Sequence, residues 1–163
     1  MREIKLSKAS KDATIEMLEL QHLPQVMALQ DETRAALPEA QKRFVLPQTP
    51  EYFSKFLNRD SGLMIGVRCD GQLIAQMVVM GTLTLKEALD RNAITRNYIT
   101  LHHANTADTV VIAKSMAVHP AWRGNDLAQV MLDAALALPM VRAADHMFAQ
   151  ISSDNVRSWE LFL

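Results

Sequence analysis

The stretch at residues 110–132 constrains the fold most, because it combines a buried strand, a tight turn and a helix without interruption. Its first part, VVIAKSMAV, opens with apolar residues at both alternating positions, which predicts a strand covered on both faces. His119-Pro120 ends this strand, because proline has no amide hydrogen to donate to a sheet. From Leu127 onward apolar residues recur with helical spacing, so we expect a helix directly after the turn.

The turn between this strand and this helix is a candidate anion site. The first amides of a helix have no acceptor within the helix, and the helix dipole favours a negative charge beside them. Arg123 adds a fixed positive charge, so phosphate is the expected ligand. In the alternative, Asp126 and Gln129 form a capping box, in which the carboxylate occupies the same amides and competes with the ligand.

Length and composition narrow the class of protein. The 163 residues are 49% apolar, which predicts a single domain over residues 1–163 with a substantial core. A formal net charge of −1 argues against general affinity for nucleic acid or for a membrane surface. The single cysteine, Cys69, excludes an internal disulfide, and we expect it to be a strand residue. No signal peptide or membrane segment is evident, so we predict a cytoplasmic protein.

The hydrophobic pattern and the turn residues predict the remaining elements, and no internal repeat interrupts them. In chain order they are a loose segment over residues 1–12, a strand over 13–20, a helix from Leu23 to about Ala36, a loop over 35–48, a helix capped by Thr49 with Pro50 at its first position, strands over 62–68 and 72–80 joined by an Asp70-Gly71 hairpin, a long connection over 81–108 containing a helix (LKEALDRN) and a strand (NYITL), a strand over 147–151, and a last helix from Asn155.

This order, β-α-α-β-β-β-α-β-α with a basic turn after the fourth strand, resembles the GNAT N-acetyltransferase family. The family carries Q/R-x-x-G-x-G/A at that turn, and in MAVHPAWRGNDLA the first place is taken by Arg123 and the last by Ala128. Asp126 stands where the family has its second-to-last glycine. The resemblance implies a mixed α/β fold of the acyl-CoA N-acyltransferase type. The family usually continues with two more strands, so we expect the chain to be C-terminally incomplete.

A second resemblance lies in the last helix, where the family has an asparagine, then a small residue, then a tyrosine. Asn155, Ser158 and Phe162 take these places. The family implies acetyl-CoA as donor, a primary amine as acceptor, and direct attack in a ternary complex. Carried over by position, the implied cofactor contacts are the backbone of Met116, Ala117 and Val118 along the pantetheine arm, residues Arg123, Gly124, Asn125, Asp126, Leu127 and Ala128 around the pyrophosphate, and Asn155 and Ser158 beside the arm. The backbone amide of Val118 would hold the thioester oxygen.

The general base and the general acid are not identified by the sequence. Asp31 and Glu32 are candidate bases on the first helix, although carboxylates there are more often solvated. Phe162 lacks the hydroxyl that the family uses as acid, which leaves water or one of the adjacent serines 152 and 153. Phe162, Asp126 and the missing base together motivate the alternative of a non-catalytic acyl-CoA sensor or interaction module.

The acceptor is either a small molecule or a protein amine, bound between residues 34–46 and the connection over 81–108. Arg34, Lys42 and Arg43 either recognise an acidic acceptor or form a solvated loop. Trp122 either stacks on the adenine or covers the turn. The adjacent histidines 102 and 103 point to opposite faces of a strand, so no metal site is expected. A homodimer is possible, because the last strand has an open edge.

Overall fold

A computed structural model describes residues 2–9, 11–94, 105–149, 151, 155 and 160. Six strands form one sheet in sequential order, and all neighbours are antiparallel except the last two, which are parallel. The strands are β1 (Arg2–Lys5), β2 (Asp12–Met17), β3 (Gly62–Cys69), β4 (Gln72–Thr84), β5 (Thr109–Val118) and β6 (His146–Ala149). The predicted mixed α/β class is confirmed.

Five α-helices in the described ranges connect these strands. They are α1 (Leu23–Ala35), α2 (Pro50–Leu57), α3 (Leu85–Asp90), α4 (Leu127–Leu136) and α5 (Pro139–Arg142), with 3₁₀ turns at Leu20–His22, Glu39–Phe44 and Pro120–Trp122. Thr49 caps α2 as predicted, its hydroxyl accepting from the Tyr52 amide at 3.2 Å. Among the described residues, no helix is long and apolar enough to cross a bilayer.

The hairpin between β3 and β4 is confirmed, because Asp70 and Gly71 both have positive φ, at 51° and 79°. This is the backbone of a two-residue turn that matches strand twist. Cys69 is buried at the end of β3, as expected for a strand residue. The predicted NYITL strand and most of the predicted last helix lie outside the described residues.

The N-terminus was predicted to be loose, and that prediction is wrong. Arg2–Lys5 forms β1 and pairs with β2 from Arg2 opposite Ile15 to Lys5 opposite Asp12. The reason is a short alternation in which Ile4 and Leu6 face the core between charged residues. Leu6 is only 1% exposed, and its amide donates to Lys11 O at 2.8 Å, which closes the hairpin.

Helices cover both faces of the sheet. On one face α4 packs on a cluster that includes Val67, Met77 and Met131. On the other face α1 and α2 pack on a cluster that includes Leu29, Phe53 and Val78. β4 and β5 are therefore buried on both sides, as the apolar run at the start of β5 predicted.

Candidate active site

Strand β5 extends beyond its described pairing with β6. That pairing runs from Val110 opposite His146 to Ala113 opposite Ala149, whereas β5 pairs with β4 as far as Val118. The His119 amide donates to Ile74 O at 2.8 Å, so in the alternating antiparallel pattern the preceding residue is a non-hydrogen-bonded position. The N–H of Val118 therefore points away from β4, to the side of β5 on which β6 lies.

A β-bulge lies in the C-terminal half of β5. Gln76 pairs with Ala117 and Val78 with Lys114, so β5 has one residue more than β4 between these pairs. Ser115 lies in the bulge with φ at 49°, a left-handed conformation that costs a residue with a side chain about 1–3 kcal/mol. Its hydroxyl lies 2.9 Å from the Tyr52 hydroxyl of α2. Burial raises the pKa of Tyr52, so the phenol stays protonated at neutral pH.

The turn before α4 presents a row of unpaired amides. Gly124 and Asp126 both have positive φ, at 82° and 55°, and the helix begins at Leu127. None of the amides from residue 124 to 129 donates to an acceptor among the described residues. The helix dipole adds a partial positive charge at the same place. The turn can therefore hold an anion through backbone donors alone.

The capping box proposed for Asp126 and Gln129 is wrong. The Asp126 side chain makes no capping hydrogen bond, and its Oδ2 instead accepts from the Ser7 hydroxyl at 3.1 Å. Gln129 Nε2 donates to Asp133 Oδ1 at 2.8 Å, one turn further along the helix. The left-handed backbone of Asp126 and its bond to Ser7 divert the carboxylate from the helix amides, which leaves those amides available to a ligand.

The loop between β1 and β2 holds this turn in place, which the sequence analysis missed. Asn125 is 5% exposed, its Oδ1 accepts from the Lys8 and Ala9 amides at 2.9 Å each, and its Nδ2 donates to Trp122 O at 2.9 Å. A Cβ built on Gly124 would lie 3.5 Å from Lys8 Cδ and 3.8 Å from its Nζ. The alternation of Ile4 and Leu6 was the available sign that this segment is ordered.

Two cations and an aromatic ring flank the turn. Lys8 and Arg123 are exposed, and neither forms an ion pair with a carboxylate in the part of the chain that the structure describes. Trp122 packs against the core, and the Lys11 ammonium lies over its ring at 5.7 Å from the centroid. These contacts fit the interpretation that Trp122 covers the turn.

A cavity of about 390 Å³ lies between β5, the described residues on the β6 side and the connection from α1 to α2. Its walls come from residues 43–46 and 48 of the connection, residues 113–117 of β5, and Ala149, Ile151 and Asn155 on the β6 side. Gln30, Phe53 and Gln76 line its floor. The sequence placed Met116, Ala117 and Asn155 in one site, and the fold brings all three to this cavity.

The candidate bases lie elsewhere. Asp31 and Glu32 are exposed on α1, neither lines the cavity, and Glu32 Oε2 lies 3.1 Å from His119 Nε2. No aspartate or glutamate is among the described residues that line the cavity. Burial lowers the pKa of Lys114, which does line it.

Two of the three basic residues proposed for an acidic acceptor are used within their own loop. Arg34 Nη1 donates to the carbonyls of Lys42 and Val45 at 3.0 and 2.8 Å, and the Lys42 ammonium pairs with Glu39 at 2.6 Å. Arg43 alone of the three lines the cavity.

Several predicted positions lie outside the described residues. They are Ser158 and Phe162 of the last helix, serines 152 and 153, and histidines 102 and 103. Within the described ranges, no group of three or more His, Cys, Asp or Glu side chains is arranged to hold a metal ion.

The chain matches a protein family by sequence and several solved structures by fold. The sequence model of the acetyltransferase (GNAT) family matches residues 26–163. No curated protein matches the chain. A ribosomal-protein-alanine N-acetyltransferase from Brucella melitensis biovar Abortus 2308 is similar in structure, with a TM-score of 0.59, 14% identity, and coverage of 91% of this chain and 86% of that one.

Two further structures contain coenzyme A. A diaminobutyrate acetyltransferase from Paenibacillus lautus, solved with L-2,4-diaminobutyric acid and coenzyme A, has a TM-score of 0.64 at 14% identity over 93% of this chain and 73% of that one. An aminoglycoside N-acetyltransferase in complex with CoA has a TM-score of 0.61 at 14% identity over 91% of this chain and 83% of that one. At such identities the likeness is one of fold.

Proposed function

Because the chain belongs to the GNAT acetyltransferase family, we propose that it transfers an acetyl group from acetyl-CoA to a primary amine by direct attack in a ternary complex. The observation that carries this proposal is the row of amides at residues 124–129, which have no acceptor among the described residues and follow directly on β5. A diphosphate supplies the acceptor oxygens and the negative charge that such a helix start favours.

The proposed contacts follow the path of the chain from this turn. Arg123, Gly124, Asn125, Asp126, Leu127 and Ala128 surround the diphosphate, with the Lys8 ammonium on its outer side. Met116, Ala117 and Val118 accompany the pantetheine arm along β5, and Asn155 and Ser158 stand on its other side. The N–H of Val118 donates to the thioester oxygen as that oxygen gains negative charge.

The proposed reaction needs few side chains. The amine nitrogen attacks the thioester carbonyl carbon, a C–N bond forms, and the C–S bond breaks with its electron pair moving to sulfur. The attacking nitrogen loses a proton to water, and the thiolate of coenzyme A leaves, as a thiol of ordinary pKa near 8.5 allows. Because Lys114 lines the cavity, an ammonium is disfavoured beside it and the amine binds in its neutral form.

Calorimetric titration and a thiol-release assay test the proposal together. The purified chain should bind coenzyme A, and Arg123→Ala should weaken that binding because one charge beside the diphosphate is lost. With acetyl-CoA and a panel of primary amines, the chain should release thiol only when an amine is present. Acyl-CoA esters of longer chain length, in the same assay, test whether acetyl is the preferred group.

An acyl-CoA sensor or interaction module is the second candidate, favoured by the absence of a carboxylate from the described cavity lining. Binding of coenzyme A without thiol release from any amine would support the sensor. Failure to bind coenzyme A would overturn both candidates. Native mass spectrometry tests the possible homodimer in the same samples. The proposed compartment remains the cytoplasm, where a free thiol such as Cys69 stays reduced.

A further inference from the structure

The amide of Gln76 is a buried polar group without a partner at the floor of the cavity. Its side chain is 1% exposed, and its Oε1 is buried with no hydrogen-bond donor among the described residues. No hydrogen bond joins its Nε2 to a described residue either. A buried polar atom without a partner costs about 1–3 kcal/mol, which a ligand can recover.

The neighbouring Gln30 shows what a structural glutamine looks like in this cavity. It is 3% exposed and also lines the cavity, but its Oε1 accepts from the Gln48 amide at 2.7 Å and its Nε2 donates to Gln48 O at 3.2 Å. Gln30 therefore fixes the connection from α1 to α2. Gln76 fixes nothing, and Ala117 opposite it contributes only a methyl group, so the Gln76 amide faces the cavity.

A half-buried cation in the cavity selects among amines. Lys114 lines the cavity and has no carboxylate within 4.0 Å in the described ranges. An acceptor that carries a carboxylate would supply the missing partner of this partly desolvated ammonium.

We propose that the acceptor is a small amino acid-like molecule, a primary amine with a carboxylate, in which Lys114 binds the carboxylate and the Gln76 amide hydrogen-bonds to the amine. This inference rests on the proposed acetyl transfer and names the substrate class of the same cavity.

Matched substrates test the role of Lys114. The assay uses straight-chain amino carboxylates of several lengths, each beside its own carboxamide, with an aminoglycoside as polycationic comparison. For the best chain length, kcat/KM should favour the carboxylate over its carboxamide by about tenfold or more, as expected for a charge-assisted bond. Lys114→Met should bring this ratio close to one, and Lys114→Arg should preserve most of it.

Substitution of Gln76 should have an effect that substitution of a structural side chain would not have. Gln76→Leu should raise KM for the amino carboxylate about tenfold, while its thermal unfolding midpoint stays equal to or above that of the wild type, because an unsatisfied amide has been removed. Gln30→Leu is the matched control and should lower the midpoint, because it leaves the Gln48 backbone without its partners.

The outcomes separate this inference from the proposed function. Thiol release that shows no preference for carboxylates, or that prefers aminoglycosides or peptide N-termini, overturns the substrate class and leaves acetyl transfer intact. An equal loss for carboxylate and carboxamide in Lys114→Met would make Lys114 a base and would also overturn it. If no amine is acetylated, calorimetric titration of the amino carboxylates into the coenzyme A-loaded protein tests whether they bind. Absence of binding overturns the inference.

Discussion

At the scale of single residues, Asp126 shows how an acidic side chain is accommodated beside the proposed phosphate site. Its backbone takes the left-handed conformation at φ 55°, and its carboxylate accepts a hydrogen bond from Ser7 and not from the helix amides. Asparagine tolerates this backbone and still offers an oxygen to Ser7. The remaining unfavourable contribution of Asp126 is therefore its charge.

We expect Asp126→Asn to tighten binding of coenzyme A about three- to tenfold, because the repulsion between carboxylate and diphosphate disappears while the turn is kept. Calorimetric titration at low and high salt measures the effect, and the gain should shrink at high salt. Asp133→Asn, further along α4, removes the same charge as a control and should change the affinity less. Unchanged affinity in Asp126→Asn would show that the diphosphate does not bind at this turn.

Lys114 is a residue whose burial has a cost that depends on pH. Because burial lowers its pKa, the folded chain binds this proton less readily than the unfolded chain, whose lysine pKa is about 10.4. The penalty is complete at neutral pH and disappears as pH rises past the unfolded value. We therefore expect Lys114→Met to be more stable than the wild type at pH 7, with the difference closing towards about pH 11.

Denaturant unfolding across this pH range measures the difference in free energy of unfolding between Lys114→Met and the wild type. The exposed Lys55 of α2 gives the control, because Lys55→Met removes an equal charge without a buried group. A stability difference for Lys114→Met that is independent of pH would contradict the electrostatic account.

At the scale of elements, the β1–β2 hairpin acts as a brace for the turn before α4. Asn125 accepts two amides from the hairpin loop, and Lys8 lies over Gly124. We expect Asn125→Ala to destabilise the chain by about 1–3 kcal/mol and to weaken coenzyme A binding, because the turn loses both its anchor and its shape. Denaturant unfolding and calorimetric titration of the same variant measure the two effects.

A substitution at Lys8 distinguishes the effect of its charge from the structural support that the hairpin gives to the turn. Lys8→Ala keeps the backbone amide that Asn125 uses, so it should weaken coenzyme A binding about three- to tenfold with little change in the unfolding midpoint. Lys5→Ala, on the same hairpin, removes an equal charge away from the turn and should leave the affinity near that of the wild type. Equal losses in the two variants would contradict a local role for Lys8.

Elements with strong local signals were predicted from the sequence. The Asp70-Gly71 hairpin, the Thr49 cap of α2 and the strand-turn-helix around Gly124 each rest on neighbouring residues, and each is confirmed. The hairpin of β1 was not predicted. Strand β1 has only four residues, and the buried Leu6 follows it, so the alternation of apolar and polar residues is too short to indicate a strand.

Side-chain hydrogen bonds between distant parts of the chain were not predicted from the sequence. The bond from Ser7 to Asp126 joins residues 119 positions apart, and the capping box with Gln129 was the local alternative that it displaced. The orphaned amide of Gln76 is another case, because Gln76 appears in the sequence as one polar residue in an apolar strand. Only the placement of Ala117 opposite it shows that the amide has no partner.

At the scale of the whole molecule, ligand binding and folding are coupled. A ligand at 100 times its dissociation constant stabilises the folded state by about 2.7 kcal/mol, which for a chain of this size raises the unfolding midpoint by about 5–10 °C. We expect coenzyme A to produce such a shift in thermal unfolding. Pantetheine, which lacks the diphosphate, should shift the midpoint much less at the same concentration. Equal shifts would locate the binding energy away from the turn at Gly124.

The cavity between β5 and the described residues on the β6 side has a consequence for how such a protein changes over time. The proposed cofactor site uses main-chain groups. Most side chains along it can therefore be substituted without changing the hydrogen bonds that the site makes to the cofactor. The chamber beyond it is lined by side chains such as Gln76 and Lys114, and a handful of substitutions there would give the same scaffold a new acceptor. Main-chain atoms would therefore keep the donor the same, while changes in side chains would alter the acceptor.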